Sequence, residues 1–382
     1  MNTPRLLLCI TVYNGRSFTP RALESARRLS SERVAIDVLV LDDCSPEPGW
    51  SDDLRDLCDG LGIEYYRSPR NLGIPRNVNL GLQAALRRGY DYVIISNSDV
   101  IYPRNLIDGM LAAADQDGVG SVTAWSNNVS IYSLPNADPD RYLADQDVVD
   151  WLSATVEGHF RGAVMDIPAG ISFCILIPTE VLRDVGLMDP VFGRGYCEET
   201  DWTLRSRVLG YRIGLAPGVF VYHAGGGSNR DAGVLNHGEY TVPANEAIID
   251  LRYPQFRDQV AAFESSGISV TAQRDALEEI VRQAGRSFGY SIEVGWLPRP
   301  PGESAVVRVA VAPDGLGAVR ATFQGFTWEL AIEEGADVGR LTREFFGTEP
   351  VAVNLFDHGE QACALLEGRA DAVDRYSYPT RV

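Results

Sequence analysis

No apolar run in this sequence approaches the roughly 20 residues that a transmembrane helix needs, so a membrane-spanning chain is not expected. Met1–Arg5 leads into the apolar Leu6–Val12, and the polar Tyr13-Asn14-Gly15 follows too promptly for a secretion signal. Cysteine is sparse: there are six, without a Cys-x-x-Cys pair, and Cys9 and Cys174 fall inside apolar runs. That pattern excludes a disulfide or zinc framework and reads as reduced core thiols in a cytoplasmic protein. Positive charge is in short supply. A formal net charge of −18 argues against nucleic acid and against a basic membrane-docking patch. No Gly-x-Gly-x-x-Gly follows the first apolar run, which removes a nicotinamide oxidoreductase. Internal repeats and low-complexity tracts are missing as well. What is present is a 382-residue chain, 45% hydrophobic, with the composition of a soluble globular protein and two domains as the prior.

The stretch Tyr92–Tyr102 organises the rest. Val93–Ile95 has the short apolar character of a strand buried on both faces, and it stops abruptly in Ser96-Asn97-Ser98-Asp99. Similar units surround it. Strands are predicted at Leu6–Val12, Val38–Leu41, Ile63–Tyr66, Val119–Ala124, Ile171–Ile177 and Val219–Tyr222. Helices are predicted between them: one opening at the cap Thr19 and Pro20, one over Ser51–Asp59, and one from Asn71–Asn77 to Arg88 with Gly89 as its stop. Others are Leu106–Ala114, Tyr142–Val156, Thr179–Val185 capped by Thr179, and a pattern starting near Thr200. Leu134-Pro135-Asn136 and Asp138-Pro139-Asp140 read as loop. This alternation predicts an α/β fold with a mostly parallel sheet covered by helices on both faces. The polar clusters Tyr13/Asn14, Asp42/Asp43 and Ser98/Asp99 then fall along one sheet edge, where α/β proteins bind ligands.

From about Ser265 the texture changes. Val270–Ala284 reads as an amphipathic helix. Ile292–Leu297, Val306–Val311 and Val319–Leu330 read as alternating antiparallel strands, and Leu341–Phe346, Val351–Phe356 and Gln361–Leu366 complete an α+β pattern. The adjacent Asp357 and His358 read as a turn. The expected division is therefore a domain over 1–264 and a smaller accessory α+β domain over 265–382, a candidate for acceptor binding or self-association.

Three features carry chemistry. Asp99 at a strand end could hold Mg²⁺ or Mn²⁺ against a diphosphate, since such ions bind through one or two carboxylates plus phosphate oxygens. It could equally satisfy the N–H groups of a helical turn. Glu198, Glu199 and Asp201 cluster at a helix start, where acids also serve to complement the helix dipole. His223 closes a strand and precedes Ala224-Gly225-Gly226-Gly227-Ser228, where backbone can approach a ligand closely.

Taken together and in order, Thr11-Val12-Tyr13-Asn14, Leu41–Ser45, Asn71-Leu72-Gly73 with Asn79 downstream, Asn97-Ser98-Asp99, Glu198–Asp201 and His223 resemble the inverting family-2 glycosyltransferases, which have a GT-A fold. The resemblance covers roughly residues 5–250 and is nearest in spacing to a rhamnosyltransferase-like branch. It implies a pyrimidine nucleotide-sugar donor, UDP- or dTDP-linked, and transfer to an acceptor hydroxyl on a glycan, a lipid-linked sugar or a small metabolite. On that resemblance Tyr13 flanks the pyrimidine, Asp43 accepts from its N3–H with Thr11 nearby, and Asn71, Gly73, Arg76 and Asn79 line the nucleotide cleft beside Asn97 and Ser98. Asp99 is the last acid of the family's Asp-x-Asp metal motif, whose first position here is Asn97, and His223 is a second metal ligand. Glu199 falls where the family places its catalytic base, usually aspartate, which leaves Glu198 and Asp201 as alternatives. Trp202 walls the acceptor site, and the C-terminal domain offers a surface for a homo-oligomer.

The chemistry suits the residues on its own terms. Inverting transfer needs one base for the acceptor hydroxyl and charge stabilisation on the departing diphosphate, whereas a hydrolase would set two acids about one sugar. A sugar-1-phosphate nucleotidylyltransferase would need a glycine-rich basic loop after the first strand, and Tyr13-Asn14-Gly15-Arg16 matches poorly. A non-catalytic nucleotide-sugar or glycan binder is the reading from another class, and intact Glu199, Asp99 and His223 argue against it.

Overall fold

A computed structural model describes residues 3–225, 242–294, 305–311, 317–332, 336–356 and 373–376. The chain forms two compact units, one of Met1–Leu134 with Leu143–Val270 and one of Pro135–Tyr142 with Thr271–Val382.

In the first unit the strands are β1 (Arg5–Val12), β2 (Ala35–Asp42), β3 (Glu64–Arg67), β4 (Tyr92–Asn97), β5 (Val100–Ile101), β6 (Val119–Trp125), β7 (Met165–Asp166), β8 (Cys174–Pro178), β9 (Arg212–Phe220) and β10 (Tyr222–His223). Eight of them make one sheet in the order β3-β2-β1-β4-β8-β6-β9-β7, while β5 and β10 form a separate pair. The helices are α1 (Thr19–Arg27), α2 (Trp50–Leu61), α3 (Ile74–Arg88), α4 (Leu106–Ala114), α5 (Pro139–Tyr142, part of the second unit), α6 (Gln146–Phe160), α7 (Thr179–Val185), α8 (Glu198–Val208), α9 (Pro243–Arg252), α10 (Phe256–Ser265) and α11 (Ile268–Phe288, in the second unit from Thr271).

Leu6–Ile10 is fully buried, so β1 needs cover on both faces. On one face Leu7, Cys9, Leu39, Leu41, Val93, Ile95, Ile175 and Ile177 meet Val78, Leu82 and Ala85 of α3, whose spacing is that of a helix stripe, together with Val181 and Leu182 of α7 and Trp202 of α8. β1, β2, β3 and β4 run parallel, as do β6 and β9. The pairs Val12↔Asp42 and Thr11↔Asn97 bring the ends of β1, β2 and β4 to one edge.

Several local expectations are corrected. The strand predicted from Ile171 begins at Cys174 and lies antiparallel to both neighbours, β4 and β6. Apolar character marks a buried strand and carries no direction. Val219–Tyr222 spans two strands: Val219 and Phe220 end β9, which starts at Arg212, and Tyr222 begins β10. Thr19 and Thr179 are not caps. Each is the first residue of its helix, neither helix has a side-chain cap, and the buried Thr179 hydroxyl donates to Tyr90 O at 2.7 Å. The helix expected at Tyr142–Val156 is α6, moved four residues on by a true cap: Asp145 accepts from the N–H of Asp147 and Val148 at 3.0 and 3.2 Å. Asp138-Pro139-Asp140, expected as loop, leads into the short helix α5. The pattern near Thr200 begins at Glu198, so both glutamates sit in the first turn of α8.

The second unit has a six-stranded sheet made of β11 (Tyr290–Val294), β12 (Val307–Val311), β13 (Gly317–Phe323), β14 (Phe326–Ile332), β15 (Ala352–Phe356) and β16 (Val373–Tyr376), in the order β14-β13-β12-β11-β15-β16. The antiparallel alternation expected from Ile292 to Leu330 fails at its first pair: β11 runs parallel to β12, while β12 and β13 are antiparallel; β11 also pairs parallel with β15. Val319–Leu330 is two strands, turned at Gln324 (φ 43°) and Gly325 (φ 80°), the positive-φ pair of a two-residue hairpin. Asn136 Nδ2 donates to Gln324 O and Ala137 N to Gly325 O, both at 2.9 Å, which ties Pro135–Tyr142 to this turn. A helix α12 (Val338–Phe346) stacks Phe346 on Tyr290 and Phe345 on Trp328, each with ring centroids 4.3 Å apart. The segment Gln361–Leu366 and the Asp357-His358 pair lie outside the described residues.

Candidate active site

The hairpin-like pairing of β5 with β10 sets His223 opposite Val100, and Ala224 N donates to Asp99 O at 2.9 Å. His223 is thereby carried to Asp99. Its Nδ1 donates to Asn128 O at 3.0 Å, so Nε2 presents its lone pair, 3.2 Å from Asp99 Oδ1 and 3.3 Å from Asn97 Nδ2. Two acceptors facing each other at that distance call for a positive charge between them, a proton or a metal ion. Burial pushes the imidazole down, but the Asp99 carboxylate and the Asn128 carbonyl outweigh it and the net shift is upward. Asp99 and His223 are 3% and 8% exposed. The carboxylate suits Mn²⁺ or Mg²⁺, whereas an imidazole is a ligand of softer transition ions. Among the described residues no third His, Cys, Asp or Glu joins them. Asn127 grips the His223 peptide from both sides, accepting from its N–H and donating to its carbonyl, each at 2.9 Å.

Asp43 follows β2. Its oxygens accept from Leu72 N at 2.7 Å and Gly73 N at 2.9 Å, and each keeps a second lone pair. Burial raises this carboxyl and the two N–H groups lower it again, with a net shift upward. Asn71 Oδ1 accepts from Gly73 N at 3.1 Å, so Asn71, Gly73 and Asp43 form one small turn. Thr11 Oγ1 donates to Ser96 O at 3.2 Å, Tyr13 is half-buried, Ser98 is buried, and Arg76 is exposed on the first turn of α3. Asp42, adjacent to Asp43, is fully buried and committed to Ser45, Ser51 and Tyr65.

Asn79 does not line a cleft. It is 7% exposed, and its amide exchanges two hydrogen bonds with the Met188 peptide, at 2.8 and 2.9 Å, which fastens α3 to the loop before α8. Trp202 walls no acceptor pocket either. It is fully buried in the core, its indole N–H donating to Gly186 O at 2.7 Å. Its position one turn into α8 faces the sheet, and an apolar residue at a helix start looks the same in sequence whether it faces core or cleft.

The acids of α8 divide. Asp201 is fully buried and spent: Arg252 Nη1 and Tyr253 OH reach Oδ1 at 2.8 and 3.0 Å, and Arg205 Nε reaches Oδ2 at 3.0 Å. Glu198 and Glu199 are different. The Oε2 atom of each is buried with no hydrogen-bond partner among the described residues, so each keeps acceptor capacity that no protein group uses there. Burial and then the Glu199 charge push Glu198 well above the usual carboxylate range. Burial raises Glu199 too, and the N–H groups of Glu199, Thr200 and Ser172 pull it part of the way back. Ser172 connects the two halves. The next residue, Phe173, lies against the His223 ring with centroids 5.3 Å apart, and its carbonyl accepts from Asn97 N at 2.9 Å.

Sequence reasoning missed Asn127, Asn128, Ser172, Phe173 and the residues of α9. They sit in loops or on helices with ordinary patterns, and nothing short of the tertiary contacts marks them.

Residues 7–185 match the model of the glycosyl transferase family 2 domain. The chain is 25% identical over 261 residues to the succinoglycan biosynthesis protein ExoO of Rhizobium meliloti, covering 64% of this chain and 68% of that one. It is 26% identical over 234 residues to an undecaprenyl-phosphate mannosyltransferase of Micrococcus luteus, covering 60% and 89%. Among solved structures it resembles GalNAc-T7 crystallised with UDP, GalNAc and Mn²⁺, at 14% identity and a TM-score of 0.46, covering 69% of this chain and 58% of that one. The family model covers just under half of the chain, and together with these relatives it supports a glycosyltransferase enzyme. Among the described residues no helix is long and apolar enough to cross a membrane.

Proposed function

We propose that the chain transfers a hexose from a pyrimidine nucleotide-diphosphate donor to an acceptor hydroxyl, with inversion at the anomeric carbon and with a divalent cation at Asp99 and His223. The observation that carries this reading is the segment Ser172–Phe173. The Ser172 N–H faces the Glu199 carboxylate, whose Oε2 has no partner among the described residues, and the Phe173 ring lies against His223 beside Asp99, so two adjacent residues link the proposed base to the proposed cation site.

In this reading the acceptor hydroxyl donates to Glu199 Oε2, which takes its proton as the oxygen attacks. Approach from the face opposite the diphosphate inverts the centre. Mn²⁺ or Mg²⁺ bound at Asp99 and His223 would neutralise charge on the departing diphosphate. Asp43, locked by Leu72 and Gly73, uses its free lone pairs for the pyrimidine N3–H, beside Thr11 and Tyr13, with Asn71, Gly73, Arg76, Asn97 and Ser98 toward the ribose and phosphates. Glu198, kept neutral by burial, sits on the acceptor side. The second unit is an accessory domain for acceptor binding or self-association. The rhamnosyltransferase-like branch remains the nearest specialisation by motif spacing.

The experiment is a thermal-shift screen of the full chain against UDP-, dTDP- and GDP-sugars with Mn²⁺, because a ligand that binds the folded state raises its stability by mass action. UDP- or dTDP-sugars should give the largest shift. A buried Asp43 lone pair left unmatched costs about 1–3 kcal/mol, so tighter binding of GDP-sugars would overturn the pyrimidine assignment.

A further inference from the structure

Asn245, on α9, lies far in sequence from every group assigned above. It is 8% exposed, and its carboxamide nitrogen stands 3.0 Å from Phe192 O, 2.7 Å from Gly195 O and 2.9 Å from Tyr196 O. Those carbonyls belong to the turn that runs directly into Glu198 and Glu199. The turn is held in left-handed backbone at Gly193 (φ 62°), Gly195 (φ 132°), Tyr196 (φ 69°) and Cys197 (φ 74°), and the last two are not glycine. A non-glycine residue in that region is strained and persists only where its surroundings over-determine it.

The surroundings can be named. On one side Ile74 N donates to Arg194 O at 3.2 Å, and a Cβ on Gly195 would stand 2.6 Å from the Ile74 side chain. On the other, Arg252 and Tyr253 at the far end of α9 hold Asp201, one turn into α8. Among the described residues the Asn245 carboxamide bonds only to the turn. The packing of α9 reaches only the ends of the turn: Ile249 joins Phe192 and Leu204 in a small apolar cluster, with Cys197 packed against it. Losing the carboxamide therefore leaves the helix anchored and frees the carbonyls of Gly195 and Tyr196 that lead into Glu198 and Glu199.

We propose that Asn245 is a positioning residue for the catalytic base: its carboxamide fixes the Phe192–Cys197 turn and so aims Glu199 at the acceptor hydroxyl, while touching neither donor nor acceptor. This rests on Glu199 as the base.

The test uses the full chain with Asn245→Ala, Asn245→Ser and, as a control, Glu199→Gln. Turnover is read as UDP released from UDP-glucose and from UDP-N-acetylglucosamine with water as acceptor. A misplacement remote from the chemistry can cost about a hundred-fold, so kcat should fall by about ten- to a hundred-fold while the donor KM holds within about two-fold. A second readout needs no substrate. Cys197 ends the turn, and burial pushes its thiol up to about 12. Its alkylation rate should rise several-fold in the Asn245 variants, against Cys44 as internal reference. If Asn245→Ala does not fold, Asn245→Ser carries both readouts. Normal kcat in a folded Asn245 variant while Glu199→Gln is dead overturns the proposal alone. Full turnover in Glu199→Gln removes the base and the proposal with it. If the wild type turns over neither sugar, Cys197 decides: unchanged labelling overturns the proposal, and faster labelling supports it.

Discussion

At the scale of single residues, Glu198 and Glu199 are neighbours in one helical turn with different surroundings. Glu199 has backbone N–H groups facing it and Glu198 is the more deeply buried. Glu199→Gln keeps shape and removes basicity, so turnover should drop by about a hundred- to ten-thousand-fold with donor affinity unchanged. Glu198→Gln should cost much less, and a reversal of the two would move the base by one residue. Stability should separate them as well. The folded chain holds the Glu198 proton more tightly than the unfolded chain does, because its folded pKa is raised. That contribution is fully present below the unfolded carboxyl value and is lost as pH rises through the folded one. Glu198→Gln never develops the buried charge. Its melting temperature at pH 8 should exceed the wild type's by a few degrees, and the gap should close as the pH falls toward 4.5, near the ordinary carboxyl value. Scanning calorimetry at the two pH values decides this, and a gap independent of pH would mean that Glu198 is neutral for another reason.

At the scale of elements, the start of α3 is the joint on which the donor side turns. Gly73 has φ 80° and ψ 158°, a region essentially limited to glycine, and a Cβ there would stand 2.2 Å from Gly193 O. Gly73→Ala should destabilise the chain by about 1–3 kcal/mol in urea unfolding and weaken donor binding, because the Asp43 carboxylate loses its N–H partner. An unchanged urea midpoint would show that the turn is softer than its contacts imply. The β5–β10 pair is the second joint, since it alone brings His223 to Asp99. Chelation should abolish transfer, and Mn²⁺ or Mg²⁺ should restore it. Asp99→Ala should be more damaging than His223→Ala, because it removes the carboxylate charge. Full activity in excess chelator would end the metal assignment.

At the scale of the whole molecule, the acid–base and cation groups proposed above all fall in the first unit, and the second contributes a sheet of its own. Gly267, with φ 71°, breaks the chain between α10 and α11. A chain ending there should fold and still raise its melting temperature with a UDP-sugar and Mn²⁺. Loss of that shift in a well-folded truncated chain would show that the second unit completes the donor site.

Much of this was legible beforehand because burial writes a period into each element by itself. The Leu6–Ile10 run, the Val78–Leu82–Ala85 stripe and the polar ends after β1, β2 and β4 can each be read without a partner, and together they placed a ligand edge. The reading stopped where an outcome depends on which distant segments meet. Whether β8 runs parallel or antiparallel, and whether an apolar Trp202 faces core or cleft, are settled by pairing and packing that no local pattern encodes. So is the separation of Asp201 from Glu199. In sequence they are two acids of one cluster. In the folded chain Arg205, Arg252 and Tyr253 consume one of them and leave the other with a bare oxygen, because only tertiary structure decides which carboxylate finds its partners.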